Sequence, residues 1–139
     1  MHRFRSAKAA WAWSLLLLAG CASTPRVELH PVSNPIPPCP SGVYDISAVA
    51  TAPVAIFQAP PRYPYVFRSA GITGSCKIVF VVRTDGTVGD AWIAEATDLR
   101  FGEAAQEVVL QWRFRPARVN DEPVNCMMMV PIRFDFSEH

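Results

Sequence analysis

The sequence predicts an α+β fold: a small three-stranded, antiparallel-type sheet in the order 2-1-3, crossed by one helix, with chain order ββαβ. Three observations carry this. Cys76 to Arg83 is β-rich and apolar on both faces, with Cys76, Ile78, Phe80 and Val82 on one and Lys77, Val79, Val81 and Arg83 on the other. That pattern suits a central strand. Asp85-Gly86 follows at once and signals a tight hairpin, because glycine tolerates the positive φ such turns need. After the second strand, Phe101, Ala104, Ala105, Val108 and Trp112 recur at helical spacing on one side.

The chain has 139 residues, enough for one modest domain with extensions. The first twenty read as a signal segment. Arg3, Arg5 and Lys8 form a basic start, Ala9 to Gly20 an apolar run, and Leu18-Ala19-Gly20-Cys21 a lipoprotein-type ending in which Cys21 is the lipidation site. The apolar run is about a dozen residues, against the ~20 of a spanning helix. An uncleaved anchor is therefore the secondary reading. Cleavage leaves ten basic against twelve acidic residues, a net charge of about −2. Nothing in that balance suits nucleic acid. An exported chain meets oxidising conditions.

Residues 21–62 read as a lipid-anchored, proline-rich tether and lead-in. Nine prolines lie between Ala22 and Arg62. Each fixes φ and biases its predecessor to extended geometry, so this segment has an upper reach of roughly 120 Å. Val43 to Gln58 is more apolar than a free linker and suits an ordered strand or lead-in along the domain.

Residues 63–139 form the domain. Pro64 and Gly71 bracket a short helix presenting Tyr65 or Phe67 to the core. Gly74 opens the first strand, and Val88 to Thr97 is the second. Asp98 caps the main helix, which should end near Trp112 or Arg113 because Pro116 disfavours helix at Arg115. Asn120 to Pro123 is a turn, and Val124 to Phe136 the third strand. Direction makes the third strand antiparallel to the first. The first is therefore central and the third an edge, which is where Pro131 is tolerated.

Few residues suggest catalysis. His2, His30 and His139 all lie outside the body of the domain, so a Ser-His or Cys-His nucleophile is unsupported, and no enzyme activity is expected. No metal or cofactor is expected either. Strand alternation splits Cys126-Met127-Met128-Met129 between two faces, which disfavours a soft-metal site. Trp112 and Phe114 read as core anchors, and Arg113, Arg115 and Arg118 as a solvated face. With Cys21 lipidated, three cysteines remain. Cys76 and Cys126 fall at opposite ends of paired strands, too far apart to bridge. Cys39 can reach either one from the lead-in, and Cys39–Cys126 is the favoured pairing.

The ordered motifs resemble those of the TonB C-terminal domain family. They run from Tyr63-Pro64 through Gly71, Gly74, Lys77 to Val82, Asp85-Gly86, Phe101 and Ala104-Ala105. They continue with Trp112-Arg113-Phe114-Arg115-Pro116-Ala117, Pro123-Val124, Val130-Pro131-Ile132 and Phe134. The resemblance implies the same ββαβ order. It implies a periplasmic, non-catalytic domain that binds an extended peptide, the TonB box of a TonB-dependent outer-membrane receptor, by adding it to the third-strand edge. That edge would be Val124, Cys126, Met127, Met128, Met129, Val130, Ile132 and Phe134. A lipid anchor, favouring the outer membrane over the inner, does not reach the motor proteins ExbB and ExbD and argues against direct coupling to them. The alternatives are an accessory envelope lipoprotein that forms a homodimer or contacts peptidoglycan, and a compact inner-membrane energy transducer if the N-terminal segment stays uncleaved.

Overall fold

The computed structural model describes residues 26–136. The expected signal segment and Cys21 lie outside them. The hairpin forms as its sequence dictates. Strands β4 (Gly74–Val82) and β5 (Val88–Ala96) pair antiparallel, and Gly86 turns between them at φ 86°. A Cβ on Gly86 would lie 2.1 Å from the Phe114 carbonyl oxygen, so only glycine fits. Strand β8 (Glu122–Phe134) pairs antiparallel with β4 without a break, from Gly74↔Phe134 to Val82↔Cys126. The central order β5-β4-β8 is the expected 2-1-3.

The sheet around it is larger than three strands. Strand β1 (Val32–Ser33) adds antiparallel to β5, and β2 (Val43–Asp45) adds parallel to β8. Strand β7 (Ala117–Val119) folds back on the start of β8, which completes a mixed six-stranded sheet. A separate two-stranded sheet joins β3 (Val54–Phe57) to β6 (Arg113–Arg115). Of these, β2 and β3 fall within Val43 to Gln58, the part read as an ordered strand or lead-in, whereas β1 lies in the stretch expected to run free. Backbone groups offered by the long strands hold β1, β2 and β7, and β3 is held by the short β6.

Two helices complete the fold. Helix α1 (Tyr65–Ala70) stops at Gly71, which is left-handed at φ 71°. Helix α2 (Leu99–Val109) begins at Asp98, whose carboxylate accepts from the Arg100 N–H at 2.9 Å. It stops three residues short of Trp112. Leu110 to Trp112 instead close as a turn, with Gln111 N–H on Val108 O and Trp112 N–H on Val109 O. Trp112 still packs inward, and its indole N–H donates to Ala59 O at 2.9 Å.

The main core lies between α2 and one sheet face. It gathers Ile78, Phe80 and Val82 of β4, Phe101, Ala105 and Val109 of α2, and Ile132 and Phe134 of β8. Phe101 is its aromatic hinge, 4.4 Å from the Phe67 ring centroid and 4.8 Å from that of Phe134. Gly74 passes so close to it that a Cβ there would lie 2.3 Å from the Phe101 ring. A small second cluster on the opposite face holds Val79, Ala94 and Met127 under Val43 and Trp92.

Candidate peptide-binding edge

Strand β8 has two edges. One is bonded to β4 along Cys126–Phe134. On the other, β2 covers Asn125, Cys126 and Met127. From Met128 to Phe134 no strand lies on this outer side among the described residues. The expected edge is therefore divided. Met128, Met129, Val130, Ile132 and Phe134 lie on the open part, Cys126 and Met127 under β2, and Val124 opposite Ala117.

Which backbone groups face outward follows from β2. The Val43 N–H donates to Pro40 O at 3.0 Å, and its carbonyl accepts the Cys39 thiol at 3.0 Å. Val43 is therefore turned away from β8, and Tyr44 supplies the groups that face it. In a parallel ladder Tyr44, paired with Cys126, bonds to the residues on either side, Asn125 and Met127. Alternation then points the main-chain groups of Met129, Pro131 and Arg133 outward. Proline has no N–H, so Pro131 offers only its carbonyl. The open edge thus presents N–H donors at Met129 and Arg133 and acceptors at all three. Pro131 also interrupts the donor row, a feature that blunts edge-to-edge aggregation.

The side chains divide by face. Met128, Val130, Ile132 and Phe134 belong to the main core or pack on it. Met127 joins the opposite cluster, and Met129 is half exposed. Where β2 leaves β8, a shallow apolar hollow of about 220 Å³ opens between Ile36, Ile46, Val79 and Met127 to Met129. Further along, Lys77 and Glu95 pair at 3.3 Å beside Arg133, both well exposed. Trp112 and Phe114 are buried, as core anchors should be.

The three cysteines among the described residues are free thiols: Cys39 exposed, Cys76 and Cys126 buried. Register puts Cys76 opposite Ile132 and Cys126 opposite Val82, at opposite ends of the β4–β8 ladder. Burial pushes the Cys126 thiol up to about 11, with the nearby Asp45 and Cys39 adding to it. Burial alone raises Cys76 to about 11.

One site was missed by sequence reasoning. Asp98 is fully buried and does more than cap α2. It accepts from the His30 N–H at 2.7 Å and from Arg100 Nε and Nη2 at 2.8 and 2.9 Å. It therefore fastens the N-terminal strap to the helix. Bonds to the Arg100 guanidinium, opposed by burial and joined by the His30 N–H, hold its carboxyl well below the usual carboxylate range. Only the capping role had a sequence signal; the His30 contact spans 68 residues.

The fold is thus an α+β domain with a three-strand centre, a crossing helix and a third-strand edge that is partly open among the described residues. Comparison with known proteins sharpens this class. Residues 59–136 match the family model described as Gram-negative bacterial TonB protein C-terminal, and the chain belongs to that family. It is 29% identical over 96 residues to protein TonB of Pseudomonas aeruginosa, covering 68% of this chain and 27% of the relative. It is 27% identical over 88 residues to protein TonB of Yersinia enterocolitica, covering 63% of this chain and 34% of the relative. The chain therefore spans about a quarter to a third of those relatives. The solution structure of the Pseudomonas aeruginosa TonB C-terminal domain superposes with TM-score 0.50 at 23% identity, over 63% of this chain and 89% of that one. No helix among the described residues is long and apolar enough to cross a membrane.

Proposed function

We propose that this domain binds an extended peptide of a TonB-dependent outer-membrane receptor by adding it as a strand along Met128 to Phe134. The observation that carries the reading is the open outer edge of β8 in a TonB-family domain. Backbone bonds from Met129, Pro131 and Arg133 supply affinity, and the apolar hollow beside Met129 supplies selectivity. The domain acts by binding alone and performs no bond chemistry. Met129→Pro tests this directly. It removes one outward donor while leaving the β4 ladder intact. Binding of a fluorescent TonB-box peptide should weaken roughly tenfold, the scale of a lost hydrogen bond with its unpaired partner. Unchanged affinity in a variant with a native amide spectrum would reject the edge.

The Leu18-Ala19-Gly20-Cys21 sequence supports lipidation at Cys21, hence a periplasmic domain on a membrane surface, the outer membrane in preference to the inner. Val27, six positions after Cys21, packs on the main core, and six residues can span at most ~20 Å. That is far short of the reach expected for a loose tether, and it holds the domain close to its own membrane. Direct work with the motor proteins ExbB and ExbD is not part of this reading. The mass of the membrane-extracted N-terminal peptide tests it: diacylglycerol on Cys21 supports it, and retention of Met1 to Gly20 rejects it. In the oxidising compartment Cys39 and Cys126 are the cysteines that pair, since Cys39 leads into β2 and Tyr44 lies beside Cys126. Non-reducing peptide mapping tests that bond.

A further inference from the structure

The strap from Val27 to Asp45 is held at two places of very different strength. At the first, Val27 packs on the main core, and Arg100 donates to Glu28 O at 3.0 Å. The His30 N–H donates to the buried Asp98, and the Leu99 N–H to His30 O at 3.2 Å. Asn34 closes the contact with its N–H on Ala94 O at 2.7 Å and its amide on Ile93 O at 2.9 Å. The second place is β2, three residues with Tyr44 and Asp45 exposed and Val43 packed on the small cluster of Val79, Ala94 and Met127; it pairs with β8 over Asn125–Met127. It ends where Asp45 turns the chain away, its carboxylate accepting from the Ser47 N–H at 2.9 Å. Because the first contact persists when the second opens, β2 is always delivered back to β8 at high effective concentration.

We propose that, in the form with free thiols, β2 is a built-in competitor for the outer edge of β8, a strand of this chain that holds Asn125–Met127, the stretch a receptor peptide longer than the open Met128–Phe134 edge must reach. This inference rests on the edge-binding reading above. Both strands use the same row of outward groups, β2 at Asn125 and Met127 and the peptide from Met129 onward. A peptide that extends past Met128 must strip β2 from Cys126, and one that stops there leaves the strap in place. Competition lowers apparent affinity by the fraction of molecules in which the edge is open. Pairing worth one or two net hydrogen bonds sets that factor at about three- to tenfold.

The test uses the full chain under reducing conditions and a synthetic TonB-box peptide long enough to overlap Asn125–Met127. Tyr44→Pro removes the inward N–H of β2 and leaves the Asp98 clamp untouched. Titration calorimetry should show binding about three- to tenfold tighter than in wild type. In wild type, hydrogen exchange of the Tyr44 amide should speed up as peptide is added, a readout that does not depend on the variant folding. Equal affinities together with an unchanged Tyr44 exchange rate would overturn the competitor while leaving edge binding intact. No binding to either protein would overturn both.

Discussion

Replacing Asp98 by asparagine should cost far more than losing a surface carboxylate. Asp98 is buried, caps α2, holds the His30 N–H at 2.7 Å and takes a two-pronged bond from Arg100. Asparagine keeps one acceptor oxygen but loses the charge and turns its amide donor on groups that also donate. A cap is worth ~1 kcal/mol and a bond to a charged group ~1.5–3 kcal/mol. Arg100 is about a third exposed, so solvent screens the pair and the lower end applies. The sum is about 2.5 kcal/mol. In urea, with a slope of ~1.5 kcal/mol/M, the midpoint should fall by about 2 M. The pH dependence gives an independent check. The folded-state pKa is depressed, so the unfolded chain binds more protons as pH falls. The contribution of Asp98 is therefore fully present above about pH 5. It should drain away below about pH 4, the unfolded carboxylate range, so the gap between wild type and Asp98→Asn should narrow there. A gap under ~0.5 kcal/mol at pH 7, or one that stays constant from pH 7 to pH 3, would refute the clamp.

Other consequences can be read from single residues. Gly86→Ala forces a side chain into positive φ and against the Phe114 carbonyl, and should lower stability by about 2–4 kcal/mol in chemical denaturation. Phe101→Ala leaves a void among Phe67, Phe134 and Tyr63 and should cost about 3–5 kcal/mol by the same measurement. Lys77→Ala should change stability by less than ~0.5 kcal/mol at any salt concentration, because the Lys77–Glu95 pair is exposed on both sides. In the reduced protein, iodoacetamide followed by mass spectrometry should label Cys39 first. Cys76 and Cys126, buried and raised to about 11, should react only on unfolding.

Much of the architecture could be read from sequence because its signals are local. Asp85-Gly86 announces the hairpin, the period of Phe101, Ala105 and Val108 announces α2, and Gly71 announces the end of α1. Strands β1, β2, β3 and β7 have no such turn or period signal, although the apolar character of Val43 to Gln58 points to order over β2 and β3. Strands β1, β2 and β7 are two or three residues long and exist because a long strand nearby offers unpaired backbone groups, and β3 pairs with the short β6. The candidate site divides the same way. Pro131 marked β8 as an edge from sequence alone, since proline cannot sit between two ladders. That Tyr44 would cover Cys126 could not be read, because a parallel pairing across 82 positions leaves no periodicity in either segment. The His30 contact with Asp98 was hidden for the same reason, although the capping role of Asp98 was plain.

The central claim is that the open edge of β8 takes up an extended receptor peptide. Amide chemical-shift mapping of the full chain during titration with a TonB-box peptide tests it most directly. The largest shifts should fall between Met128 and Phe134, with slowed exchange at the Met129 and Arg133 amides. Shifts centred on α2 or on the β3–β6 pair, with Met129 and Arg133 unmoved at saturation, would contradict it.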